Sequence, residues 1–178
     1  MRKVLFSIAI VTAGLFVASC GNKSANNAES EDSTAVAEGL PAGFVHYDGG
    51  CYSFDCPEDL SQGRMGDTIF LSNSPDRDAS IHVNMMTEGV PTVAEFKQFA
   101  EKKIAERKRY MEILNEPTIE EKLLSVRCKD DQRGKIIEFF YILGDNGNMA
   151  YGNFEYCPSV ANKYEAAVEP FIKSIVVK

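Results

Sequence analysis

The apolar and polar positions of this 178-residue chain fall into three regimes. Behind Arg2 and Lys3, Val4 to Phe16 is an almost unbroken apolar run. Residues 21–40 are small, polar and acidic, a composition that cannot bury enough surface to offset its ordering entropy. From Phe44 onward the apolar positions become periodic. Tyr52-Ser53-Phe54 alternates and is closed by Cys56-Pro57. Thr68–Ser72 and Ser80–Met86 follow, the second with Ile81, Val83 and Met85 on one face and His82 and Asn84 on the other. Together these predict an antiparallel meander. Pro91-Thr92 then opens a long helix, with Thr92 as N-cap and Glu95 completing a capping box. Val93, Phe96, Ala100, Ile104, Met111 and Leu114 form its apolar stripe, widened by Phe99, and Asn115-Glu116-Pro117 ends it. The run Glu101–Arg109 is locally basic and reads as a solvated helix face.

A second set of strands covers Glu120–Cys128, Lys135–Leu143 and Met149–Tyr156, joined by a turn at 129–134 and an Asn146-Gly147 hairpin. Lys135–Leu143 is the longest β-branched and aromatic stretch, which predicts a central strand. Cys157-Pro158 stops the last strand, and Ser159 reads as the N-cap of a helix over Val160–Ile172. Tyr164, Val168, Phe171 and Ile175 face inward, and Pro170 kinks or restarts that helix. The order βββ-α-βββ-α predicts an α+β fold: about six antiparallel strands in one sheet, with two helices packed on it.

The N-terminal run is too short to span a bilayer, and its basic start and small residues before Cys20 describe a secretory signal. Val17-Ala18-Ser19-Cys20 resembles the lipobox of bacterial lipoproteins. That resemblance implies cleavage before Cys20 and attachment of a diacylglyceryl group to its thiol. It divides the chain into a signal peptide (1–19), a lipidated cysteine with a disordered tether (20–42) and a single α+β domain (43–178). Under the sorting rule of many Gram-negative lipoproteins, Gly21 in place of Asp implies an outer-membrane address facing the periplasm. The cell surface and the inner membrane are the alternatives. Asp32-Ser33-Thr34 matches a short O-glycosylation pattern at Ser33.

The composition is acidic, with 26 Asp and Glu against 19 Lys and Arg and a net charge of −7. Such a chain repels nucleic acid, which is excluded as a partner. With Cys20 lipidated, Cys51, Cys56, Cys128 and Cys157 remain, an even set that predicts two disulfides in an exported protein. If Cys51 to Cys56 is extended, their sulfurs lie about 16 Å apart, beyond the roughly 7 Å Cα limit of a disulfide. Each then pairs with Cys128 or Cys157, unless the segment folds into a turn. No CxxC occurs, so no metal or other cofactor is expected.

Gly-rich phosphate loops, HExxH and GxSxG are absent. His46, Asp48 and His82 are the candidate ligand or acid–base residues, provided that the two histidines meet in space. Three sequence pieces carry a resemblance: Tyr52-Ser53-Phe54 with Pro57, Thr92-Val93-Ala94-Glu95-Phe96, and Tyr164 with Phe171-Ile172-Lys173-Ser174-Ile175. With the order of elements, they resemble the PsbP/Mog1-like superfamily over most of residues 44–178. The resemblance implies a binding or assembly module more than an enzyme. The expectation is therefore a non-catalytic periplasmic lipoprotein, anchored in the outer membrane by its lipid and binding an envelope protein. The alternative is an envelope hydrolase or metal-dependent enzyme built on His46 and His82.

Overall fold

The computed structural model describes residues 42–65, 68–73 and 77–178, with the main chain alone over 61–65. Val17–Cys20, Ser33 and the tether up to residue 41 lie outside the described residues. In chain order come β1 (Phe44–Asp48), β2 (Tyr52–Pro57), β3 (Ser61–Met65), β4 (Thr68–Ser72), β5 (Ala79–Met86) and α1 (Val93–Arg107). Then follow β6 (Glu112–Ile113), β7 (Thr118–Ile119), β8 (Leu123–Asp130), β9 (Lys135–Leu143), β10 (Met149–Tyr156), a 3₁₀ turn (Pro158–Val160), α2 (Ala161–Ser174) and β11 (Val176–Val177).

The α+β class, the antiparallel pairing and the two packed helices all stand, but the strands divide between two sheets. The small sheet runs β1-β2-β11. The large one runs β3-β4-β5-β10-β9-β8-β6, with β7 also on β8. The expected meander of Tyr52–Phe54 with the next two strands is therefore split. β2 leaves the large sheet because its apolar positions Tyr52, Phe54 and Cys56 face that sheet's core instead of extending it. The Tyr52 hydroxyl donates to the Val83 carbonyl at 3.2 Å, stitching the two sheets together.

β9 lies inside the large sheet and is covered on both faces, which explains its nearly continuous apolar sequence. Phe140 faces the small sheet and α2, in one core with Phe54, Ile81, Phe154, Tyr164 and Phe171. Tyr141 and Leu143 face the other way, against Phe96, Ala100 and Ile104 of α1. The capping box forms as expected: Thr92 N donates to the Glu95 carboxylate at 2.9 Å.

α1 ends at Arg107, short of the expected Leu114. The Arg107 guanidinium lies 3.7 Å from the Phe139 ring centre and donates to the Tyr141 hydroxyl at 3.3 Å, so the chain turns there. Met111 and Ile113 still pack inward, against Val126, Cys128, Ile137 and Phe139 of β8 and β9, spaced as alternate residues leading into a strand. Ile113 sits opposite Cys128. The final helix does not break at Pro170; α2 runs through it to Ser174.

Gly152 in β10 allows the closest approach in the sheet. A Cβ there would stand 1.9 Å from the His82 carbonyl oxygen and 3.0 Å from the Phe140 ring. Gly152→Ala is expected to cost about 2–3 kcal/mol or more, because both obstacles belong to packed strands. Urea denaturation followed by circular dichroism measures the loss; an unchanged midpoint contradicts this account.

Candidate functional site

The structure separates the histidines that the sequence proposed as partners. His46 points outward from the small sheet, and its Nδ1 lies 2.7 Å from the Asp55 carboxylate across the β1–β2 pair. Asp48, at the end of β1, accepts a hydrogen bond from Gly50 N at 2.9 Å and pairs with Lys178 Nζ at 2.7 Å, so it closes a turn. His82 lies on the opposite face of the large sheet from Ile81 and Val83, which belong to the core between the sheets. It stacks edge-on against Phe70 of β4 at 4.6 Å, and burial pushes its pKa down. Face-packed sheets are about 10 Å apart, and the two rings point away from one another on their outer surfaces. The structure thus places His46 and His82 on different surfaces, each with its own partner. Among the described residues, no cluster of three or more His, Cys, Asp or Glu is placed to hold a metal.

The structure forms no disulfide among Cys51, Cys56, Cys128 and Cys157. Cys56 belongs to the core between the sheets and Cys128 to the layer under α1, so the large sheet stands between them. Cys51 lies beside the β9–β10 hairpin, since its carbonyl accepts from Lys178 N and the Lys178 carbonyl accepts from Asn146. Cys128 and Cys157 sit at the far end of those strands, about 25 Å along an eight-residue strand. They flank β9, so about 10 Å of sheet separates their backbones. Burial raises the Cys56 thiol to about 12 and the Cys128 thiol to about 11.

A groove of about 370 Å³ lies between β8 and α2. Leu123, Ser125 and Arg127 reach it from β8, all on the face opposite Leu124, Val126 and Cys128. Val168, Ile172 and Lys173 supply the α2 wall, and Asn115 and Thr118 the rim. At its base, Glu138 of β9 is only 4% exposed. Its carboxylate accepts hydrogen bonds from the Ser125 hydroxyl and, at 2.8 Å, from Arg127 Nε on the directly opposite residue. Arg127 Nη1 also reaches Glu165 of α2 at 2.7 Å. Burial alone would lower the Arg127 pKa, but the hydrogen bond to Glu138 and its charge outweigh that and raise it.

Nearby, the fully buried Tyr156 phenol has no hydrogen-bond partner among the described residues. Burial raises its pKa; Arg127 opposes that shift, while Glu165 and Glu138 add to it. Each oxygen of Glu138 already accepts from a donor, which suits it to fixing a guanidinium. The groove therefore offers an immobilised arginine fork beside apolar walls, an arrangement for recognition. The sequence reading passed over these residues. Their signal is Glu138, the one carboxylate inside the long apolar strand 135–143, together with Ser125 and Arg127 alternating with apolar positions.

Glu138→Leu is expected to cost about 2 kcal/mol by leaving Arg127 half-buried with only Glu165, and Arg127→Met in the same chain to restore most of it. A double-mutant cycle in urea measures this; additive losses contradict the pairing. Iodoacetamide is expected to modify Cys51 in the native protein and to spare Cys56 and Cys128. In urea without reductant all four cysteines are expected to react, and peptide mass spectrometry showing fewer reactive thiols there would reinstate a disulfide.

No protein-family model and no curated protein matches the chain. Solved structures do. Cyanobacterial PsbP (CyanoP) from Synechocystis sp. PCC 6803 is 12% identical with a TM-score of 0.54, covering 80% of this chain and 96% of that one. The Ran-binding protein Mog1p of Saccharomyces cerevisiae is 10% identical with a TM-score of 0.51, covering 75% of this chain and 94% of that one. Residues 44–178 have the fold of these two proteins, with antiparallel sheets and two helices.

Proposed function

We propose that this chain is a non-catalytic binding or assembly module of a Gram-negative envelope, anchored in the outer membrane through Cys20, facing the periplasm and binding an envelope protein. The observation that carries the binding part is the groove between β8 and α2. Arg127 is held there by Glu138 and Glu165, with Nη2 making no bond to a described residue and open to a partner's carbonyl or carboxylate. Leu123, Val168 and Ile172 beside it offer apolar contact. The shared fold is consistent with this use, since Mog1p is a Ran-binding protein. The anchor rests on the sequence: the basic start, the apolar run and Val17–Cys20. The free cysteines contribute nothing to the choice of compartment.

Wild-type chain expressed in a Gram-negative host is expected in the outer-membrane fraction, and Cys20→Ser outside it. A photoreactive residue at Glu169 on the groove wall is expected to cross-link one envelope protein reproducibly in intact cells, and Arg127→Ala to abolish that product. An unchanged distribution of Cys20→Ser removes the anchor. A product that persists in Arg127→Ala removes the groove.

A further inference from the structure

We propose that the C-terminal end of α1 and the turn after it dock onto an anionic lipid bilayer. The run Glu101–Arg109 carries five cations against two carboxylates, in a chain whose net charge is −7. Two of those cations are committed: Lys103 pairs with Glu106 at 3.0 Å, and Arg107 is held over Phe139 and against Tyr141. Lys102, Lys108 and Arg109 are exposed and make no ion pair or hydrogen bond with any described side chain; Lys97, one turn earlier, is the same. Elsewhere the pattern is reversed. From residue 122 onward every lysine and arginine holds a carboxylate, apart from Lys135, which donates to the carbonyls of Arg77 and Asp78. Arg77 is the other described cation whose side chain makes no ion pair or hydrogen bond, and it stands alone; the unpaired cations gathered on this helix end are available to an outside anion.

The same turn presents Tyr110, 84% exposed and the most exposed large hydrophobic side chain among the described residues; Leu114, just past β6, is 42% exposed. The turn is rigidly placed. Tyr110 N and Met111 N both donate to the Arg107 carbonyl at 3.0 Å, and Met111 and Ile113 pack against β8 and β9. Cations at a helix C-terminus are favoured by its dipole, which accounts for Lys108 and Arg109 in part. It accounts for neither Lys102 nor a bare tyrosine. A tyrosine flanked by lysine and arginine is the composition that settles at the headgroup level of a bilayer, ring in the interface and charges on anionic lipid. A soluble polyanion offers the charge and no layer for the ring, so the bilayer is the better fit. The docking does not require the lipid at Cys20, which acts only by raising local concentration.

The chain contains no tryptophan, so Tyr110→Trp supplies a single reporter at the centre of the patch. Full-length protein is mixed with vesicles of phosphatidylcholine and phosphatidylglycerol, with vesicles of phosphatidylcholine alone, and with soluble polyphosphate. Emission is expected to shift to the blue only with the anionic vesicles. The shift is expected to vanish at about 0.5 M salt, where screening is short-ranged. It is also expected to vanish when Lys102→Glu, Lys108→Glu and Arg109→Glu are added, with circular dichroism confirming that this variant is folded. No shift on anionic vesicles overturns the proposal; so does an equal shift on phosphatidylcholine, or an equal shift with polyphosphate. Co-flotation with both kinds of vesicle reports the N-terminal anchor separately, so loss of one finding leaves the other readable.

Discussion

Phe171 is the point at which both sheets and α2 meet. Its ring is fully buried and makes an edge contact with Phe54 of the small sheet at 5.4 Å. It also meets Phe140 of β9 at 5.5 Å and Phe154 of β10 at 5.7 Å. Burying such a ring is worth about 1.5–3 kcal/mol, and each well-oriented aromatic pair adds roughly 0.5–1.5 kcal/mol. That sum explains why α2 passes through Pro170 unbroken, although an interior proline costs about 3 kcal/mol. Ser174, one turn on, fixes the same helix to β2 by accepting from Asp55 N at 2.8 Å. Phe171 and Ser174 thus set how far α2 stands from β8, and the groove is the remaining space.

The layering determines what chemistry the domain can assemble. The residues weighed for chemistry lie on three separate surfaces: the outer face of the small sheet, the far face of the large sheet, and the gap between β8 and α2. His46 and His82 belong to the first two, and the apolar core lies between them. The third surface brings Arg127, Glu138 and Glu165 together beside a groove, and there each carboxylate oxygen of Glu138 already has a donor. What remains is a guanidinium fixed in direction, suited to binding.

Much of the fold was legible in the sequence because its local signals agree with the packing. Lys135–Leu143 and Met149–Tyr156 are the observed strands to the residue, and the Thr92/Glu95 capping box starts α1 where expected. The stripe through Met111 and Leu114 misled because Met111 and Ile113 also fit a period of two, and pairing with β8 selects that alternative. Membership of sheets was not legible, since Tyr52-Ser53-Phe54 alternates identically whether it extends one sheet or faces another. Cys56 and Cys128 lie as small apolar side chains in separate cores, a placement that their even count could not convey. The groove was hidden because Arg127 and Glu138 are eleven residues apart and meet only through the β8–β9 register.

The pairing of β11 with β2 has a kinetic consequence. Val176 lies opposite Ser53, so the small sheet closes across more than a hundred residues of chain. Contacts of such long range are slow to form, because the loop between them must be ordered first. As the polypeptide emerges from a ribosome or a translocation channel, β1 and β2 appear early, yet their third strand arrives last. Until then the inward faces of Tyr52, Phe54 and Cys56 have no α2 to cover them. The early hairpin is therefore the segment most exposed to holdase chaperones and to misassociation, and completion of the domain waits for its last strand.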